Sequence, residues 1–170
     1  MTEASREIGV VVRRRSVDNP WIDELWSPAT ILEEVPATAP WTVLSSDTEA
    51  TTYYAGSASI DLFSSDTANY RDNLADGEPR IWVALRRPDG GPELELTKVT
   101  ADPTEGEALF ESGCEVIGTV PMPAEIASWI AAFVDRFHVE RVFHKRKRDR
   151  ASGDRPRVPG GRSDDGAGRP

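Results

Sequence analysis

Residues 123–142 read PAEIASWIAAFVDRFHVERV. Ile126, Trp129, Ile130, Phe133, Val134 and Phe137 recur at i, i+3, i+4, i+7, which marks one apolar stripe on an α-helix. Pro123 suits the first turn, where its missing N–H costs nothing. The stripe predicts a long amphipathic helix that packs on a sheet and continues past Arg141. Directly after it comes FHKRKRDR (143–150), which holds Lys145, Arg146, Lys147, Arg148 and Arg150. Cations at a helix end complement the dipole. That accounts for one or two charges, not for five in six residues. The run is therefore read as a docking element for an acidic partner, against a solvated helix end as the competing reading.

Upstream of the helix the period changes from 3.6 to 2. Ile8, Val10 and Val12 alternate as a strand. Further strands are predicted over Ala29–Val35, Trp41–Leu44, Thr51–Tyr54, Ala58–Leu62, Arg80–Arg87, Glu93–Thr100 and the short Val116–Val120. Asn19-Pro20 and Ser27-Pro28 read as breakers, Ala55-Gly56-Ser57 as a bend, and Pro88-Asp89-Gly90-Gly91 as a tight turn. Between the strands, Ser65 to Leu74 has helical spacing with Asp76-Gly77 as its stop. Thr104 and Glu107 have capping-box spacing for a short helix that ends before Gly113. The fold class expected is α+β: a curved antiparallel sheet or partial β-barrel of six to seven short strands, capped by the long C-terminal amphipathic helix. One domain is expected over residues 1–150. Residues 151–170, rich in Gly, Pro, Asp, Arg and Ser, are expected to be a disordered tail.

The net charge of −9 is unevenly spread: residues 141–170 hold 10 Lys/Arg against 4 Asp, so residues 1–140 carry −15. An acidic body repels polyanions, which makes nucleic acid an unlikely partner. No apolar run approaches the ~20 residues a membrane span needs, and the start MTEASREIG has no apolar leader. A cytoplasmic protein with no membrane partner is expected. The single Cys114 agrees with a reducing compartment.

Of the five tryptophans, Trp82 and Trp129 are assigned to the core. Trp21 and Trp26 stand in the acidic, turn-rich DNPWIDELW (18–26) and are read as partner-binding. The alternative is that they fold back over an open end of the sheet. Arg13-Arg14-Arg15 is read as pairing with nearby acids rather than holding a phosphate. Reactive chemistry is thin. His138 and His144 are not spaced as ligands on one helical face, and Cys114 has no activating neighbour. No glycine-rich phosphate loop follows a strand. No catalytic residue, metal or cofactor is assigned, and the chain is expected not to be an enzyme.

The ordered set NPW (19–21), WSP (26–28), PW (40–41), YYAG (53–56), YRDNL (70–74), PRIWVALR (79–86), VPMP (120–123), WIAAFV (129–134) and FHKRKRDR (143–150) resembles the bacterial domain-of-unknown-function family 3305. The resemblance covers about residues 7–150. Members are typically encoded beside molybdenum-dependent formate dehydrogenases, which implies an accessory or maturation role with a formate dehydrogenase subunit or another assembly factor as partner. Some members are labelled as molybdopterin-guanine dinucleotide biosynthesis proteins, but the LAGG-type phosphate loop of a nucleotidyltransferase is absent. The alternative is a small-ligand or molybdenum-cofactor carrier with its pocket at the mouth of the sheet.

Overall fold

The computed structural model describes residues 2–91 and 93–138. Strand β1 (Ala4–Ser16) runs through the middle of a four-stranded antiparallel sheet, flanked by β2 (Glu24–Leu32) and β4 (Ala50–Leu62), with β3 (Thr42–Ser46) outside β4. β1 extends well beyond the expected Ile8–Val12 in both directions. A strand of that length must bend to wrap a core, and the bend has a definite place. Val10 and Val11 pair with Gly56 and Tyr54, which leaves Ala55 as an extra residue on β4. Val11 and Val12 pair with Thr30 and Pro28, which leaves Ala29 as an extra residue on β2. Two bulges thus flank the same point of β1 and sharpen the local twist.

These bulges correct two expectations. The bend at Ala55-Gly56-Ser57 does not separate two strands; Gly56, at φ +129°, lets one strand of 13 residues pass through. Pro28 does not break a strand either. It lies at the bulge of β2, at the edge of its sheet, where a missing N–H is tolerated. β2 therefore starts at Glu24 rather than Ala29.

The second sheet is β6 (Glu95–Thr100), β5 (Arg80–Arg86) and β7 (Val116–Pro121), with β5 central. Ile81, Trp82, Val83, Ala84 and Leu85 are all buried, so both faces of β5 are covered and the run is continuously apolar. β2 lies beside β7 and β4 beside β6. A Cβ placed on Gly118 of β7 would sit 3.0 Å from the Pro28 ring, so glycine permits that approach. Seven strands are present, within the six to seven expected, because Thr51–Tyr54 and Ala58–Leu62 fuse into β4; they form separate sheets of four and three instead of one curved sheet, with no closed barrel among the described residues.

Helices α1 (Thr67–Ala75), α2 (Pro103–Leu109) and α3 (Ala124–Phe137) complete the domain. Ile126, Ile130, Phe133 and Val134 of α3 are buried, as the stripe predicts, whereas Trp129 is only half-buried. The long helix is a correction: α3 has 14 residues and stops short of Arg141. His138 leaves helical geometry at φ −72°, ψ 119°. There its imidazole meets two α1 side chains. The Thr67 hydroxyl donates to the Ser64 carbonyl at 3.2 Å and so accepts from His138 Nδ1 at 3.0 Å. Nε2 is then left to accept from Arg71, also at 3.0 Å. The backbone departs from the helix where the ring makes this span.

The start of α2 is a second correction. Its cap is Asp102, not Thr104; Oδ1 accepts from the N–H groups of Thr104 at 2.8 Å and Glu105 at 3.4 Å. Pro103 is the reason, because proline belongs at the first helical position and moves the cap to the residue before it. Glu105 turns back to the Thr100 hydroxyl at 2.6 Å and to Lys98 at 3.0 Å.

Tyr70 of α1 packs edge-on against Phe133 of α3, ring centroids 6.2 Å apart. Its hydroxyl accepts from the Phe63 N–H at 3.1 Å. Burial pushes this phenol from 10.0 up to about 12, with the carboxylates of Asp66, Asp102 and Glu105 adding to the effect. The folded value lies above the unfolded one, so the neutral ring's contribution is intact below pH 10 and is lost as pH rises through about 12. Unfolding free energies from denaturant titrations at pH 9 and pH 12 should differ by ~2 kcal/mol more in the native chain than in Tyr70→Phe. Equal pH dependence of the two proteins would show that Tyr70 ionises freely in the fold.

Candidate partner-binding surface

The β1–β2 hairpin carries the first candidate residue. It is closed by the Val17 N–H donating to the Asp23 carbonyl at 3.2 Å. Within it, the Trp21 N–H donates to Asn19 Oδ1 at 2.8 Å, an Asx turn. Asn19-Pro20 thus does the turn chemistry expected of it and presents Trp21 at the hairpin tip. Trp21 is 89% exposed, and Ile22 beside it is about half exposed. An indole ring left this wet on a hydrogen-bonded turn is uncommon, because it is the side chain with the most apolar area to bury.

Trp26 has a different fate. It lies on β2 opposite Arg14 and is half-buried in an aromatic cluster. Its ring is 6.1 Å from Trp41, edge-on, and 5.5 Å from Tyr53. The Arg14 guanidinium lies 5.8 Å from the Trp26 ring centre and 5.5 Å from that of Tyr53, and its second partner is Glu24 at 3.6 Å. Arg14 therefore fills the cluster by cation–π contact and pairs with an acid, which is the reading made for the arginine run. Arg13 and Arg15 point to the opposite face and are exposed. Trp41 is held at φ +68°, an uncommon backbone for a bulky residue, with its N–H bonded to the Tyr54 carbonyl. The structure thus divides the predicted pair: Trp26 covers the end of the sheet, and Trp21 projects.

Sequence reading missed Val43 and Leu44, both about half exposed on the edge strand β3, and missed the partnership of Trp41 and Tyr53 with Trp26. The signal was present in β2: allowing one extra residue at Ala29 puts Trp26, Pro28 and Ile31 on one face. The basic residues Lys145, Arg146, Lys147, Arg148 and Arg150 lie outside the described residues, as do the expected boundary at 150 and the tail 151–170.

A cleft of about 710 Å³ opens between the chain leaving β2 and the β7–α3 connection, lined among others by Leu32, Glu33, Glu34, Val35, Pro36 and Met122. Among the described residues no group of His, Cys, Asp and Glu is placed to hold a metal ion. Cys114 is half-buried and accepts from the Ser112 hydroxyl at 3.3 Å. No helix is long and apolar enough to cross a membrane among the residues described.

Comparison with known protein families matches residues 7–147 to the family described as "Protein of unknown function (DUF3305)". The chain belongs to that family. No curated protein and no solved structure matches it.

Proposed function

We propose that this chain is a non-enzymatic accessory protein of the cytoplasm that acts by binding another protein, a subunit of a molybdenum-dependent formate dehydrogenase or another of its assembly factors. The observation that carries this reading is Trp21, 89% exposed at the tip of an ordered hairpin. A tryptophan is the commonest kind of interface anchor, and here the turn has already met part of the ordering cost of binding. The run Lys145–Arg150 adds five cations, suited to steering an acidic partner and raising association rate. The choice of partner rests on the family resemblance set out above.

The carrier alternative receives less support. The cleft described above is lined by two glutamates, which disfavour a phosphate-bearing molybdenum cofactor.

Affinity capture from a formate-grown host tests the reading. Trp21→Ala should leave the unfolding midpoint unchanged and lower partner capture by about 30-fold, the size of a 2 kcal/mol anchor. Changing Lys145, Arg146, Lys147 and Arg148 together to Ser should reduce capture and formate dehydrogenase activity, and native capture should weaken with salt. Trp26→Ala should instead lower the midpoint, because it opens the aromatic cluster. Full capture and full enzyme activity in both the Trp21 and the quadruple variants would refute the proposal.

A further inference from the structure

The cleft between β2 and α3 combines features that the proposed function does not use. One wall is the chain leaving β2, with Leu32, Val35 and Pro36; the other carries Met122 just before α3. Val35 is exposed, so apolar surface reaches the rim. Glu33 is half-buried against this surface, and its neighbour Glu34 is exposed. Both lie in the bend that follows the end of β2 at Leu32.

Among the described residues no lysine or arginine lines the cleft. Neither glutamate has an ion-pair partner among the described residues. Arg6 of β1 pairs with Glu125 in the first turn of α3, at 3.4 Å. Two adjacent carboxylates beside apolar walls attract an incoming cation. Proline rings stiffen the walls, so little order is lost when the cleft is filled.

We propose that this cleft binds an extended segment of a partner protein in which Lys or Arg alternates with apolar residues. The apolar side chains lie on Leu32, Val35 and Met122, and the cations reach Glu33 and Glu34. The cleft is an open trough rather than an enclosed chamber, which suits a polypeptide better than a small ligand. The carboxylates set the sign of the charge it accepts, and the −15 of residues 1–140 steers such a segment inward. The proposal rests on the accessory-protein reading only in taking the occupant to be a polypeptide.

The test uses the full chain, labelled with ¹⁵N and with ¹³C at the methionine methyls, titrated with an acetylated peptide of four Leu-Lys repeats. Resonances of residues 31–36 and the Met122 methyl should shift together. Glu33→Gln with Glu34→Gln should raise the Kd at least tenfold. Glu107→Gln with Glu111→Gln removes the same charge from exposed positions near α2 and should change the Kd by less than twofold. A peptide with Glu in place of Lys should cause no shifts. Equal weakening by both double variants, shifts scattered over the acidic body, or no shifts at millimolar peptide would overturn the assignment. Trp21→Ala should bind the peptide as the native chain does. Peptide binding without host capture would keep the cleft and remove the formate dehydrogenase partner, and capture without peptide binding would do the reverse.

Discussion

Gly106→Ala should lower the thermal midpoint by roughly 10 °C, the change expected from about 3 kcal/mol in a domain of this size. Alanine is ordinarily better than glycine inside a helix by up to ~1 kcal/mol, and Gly106 lies within α2, so propensity alone argues for stabilisation. Packing reverses the sign. A Cβ at this position would lie 2.3 Å from Cγ of Trp82 and 2.4 Å from Cδ2. These atoms belong to the body of an indole buried on the central strand β5, not to the free end of a flexible chain. Either α2 lifts from the sheet or the ring leaves its place, and overpacking of this kind typically costs ~1–3 kcal/mol and sometimes more. Trp82→Leu should be destabilising alone yet should partly rescue Gly106→Ala, a coupling that a double-mutant cycle measures. A midpoint for Gly106→Ala within about 2 °C of the native one, less than a 1 kcal/mol effect, would mean that α2 rides free of Trp82.

Asn73→Ala should cost ~3–5 kcal/mol, a large share of the 5–15 kcal/mol that holds a typical domain together. The side chain is buried on α1 and joins three elements. Its Nδ2 donates to the carbonyls of Arg80 at 2.8 Å and Ala101 at 2.9 Å, and Oδ1 accepts from the Arg80 N–H at 3.0 Å. The start of β5 and the turn between β6 and α2 are thereby fixed to one amide. Truncation leaves three backbone groups without this partner, and an unmet buried group costs more than a made bond returns. Asn73→Asp keeps the acceptor for Arg80 but turns a carboxylate toward two carbonyls, so it should be no better than alanine at neutral pH. Urea unfolding checks both. An unchanged midpoint for Asn73→Ala would show that solvent reaches these groups.

Neither residue is conspicuous in the sequence. Gly106 reads as a mild flaw in a short helix, and Asn73 as one polar residue near the face that holds Tyr70. Both are decided by partners distant along the chain. The same holds for the surface. Trp21 and Trp26 are five residues apart in one acidic loop-like stretch, and nothing local separates them. Trp26 is claimed by Arg14, Trp41 and Tyr53 once β1, β2 and β4 are in register. Trp21 falls beyond the last pair of the ladder, Ser16 with Glu24, and has nothing to fold onto within its own hairpin. Glu33 and Glu34 form a cleft only with Met122, which a different sheet brings opposite them.

What the sequence determined by itself is whatever follows from burial along one dimension. The stripe from Ile126 to Val134 is a helix and the run Arg80–Arg86 is a strand, because the period of apolar residues reports which side of an element faces the core. Charge and composition likewise set an acidic body apart from a basic end. The tertiary structure alone decided the division into two sheets, the passage of β4 through its glycine and the end of α3 at Phe137. Each turns on a contact in three dimensions: a bulge that lets the ladder resume, one strand lying beside another of the second sheet, a histidine that bonds sideways to α1. A single extra residue in a strand reverses every side chain beyond it, so register, which periodicity does not encode, settles which residues meet.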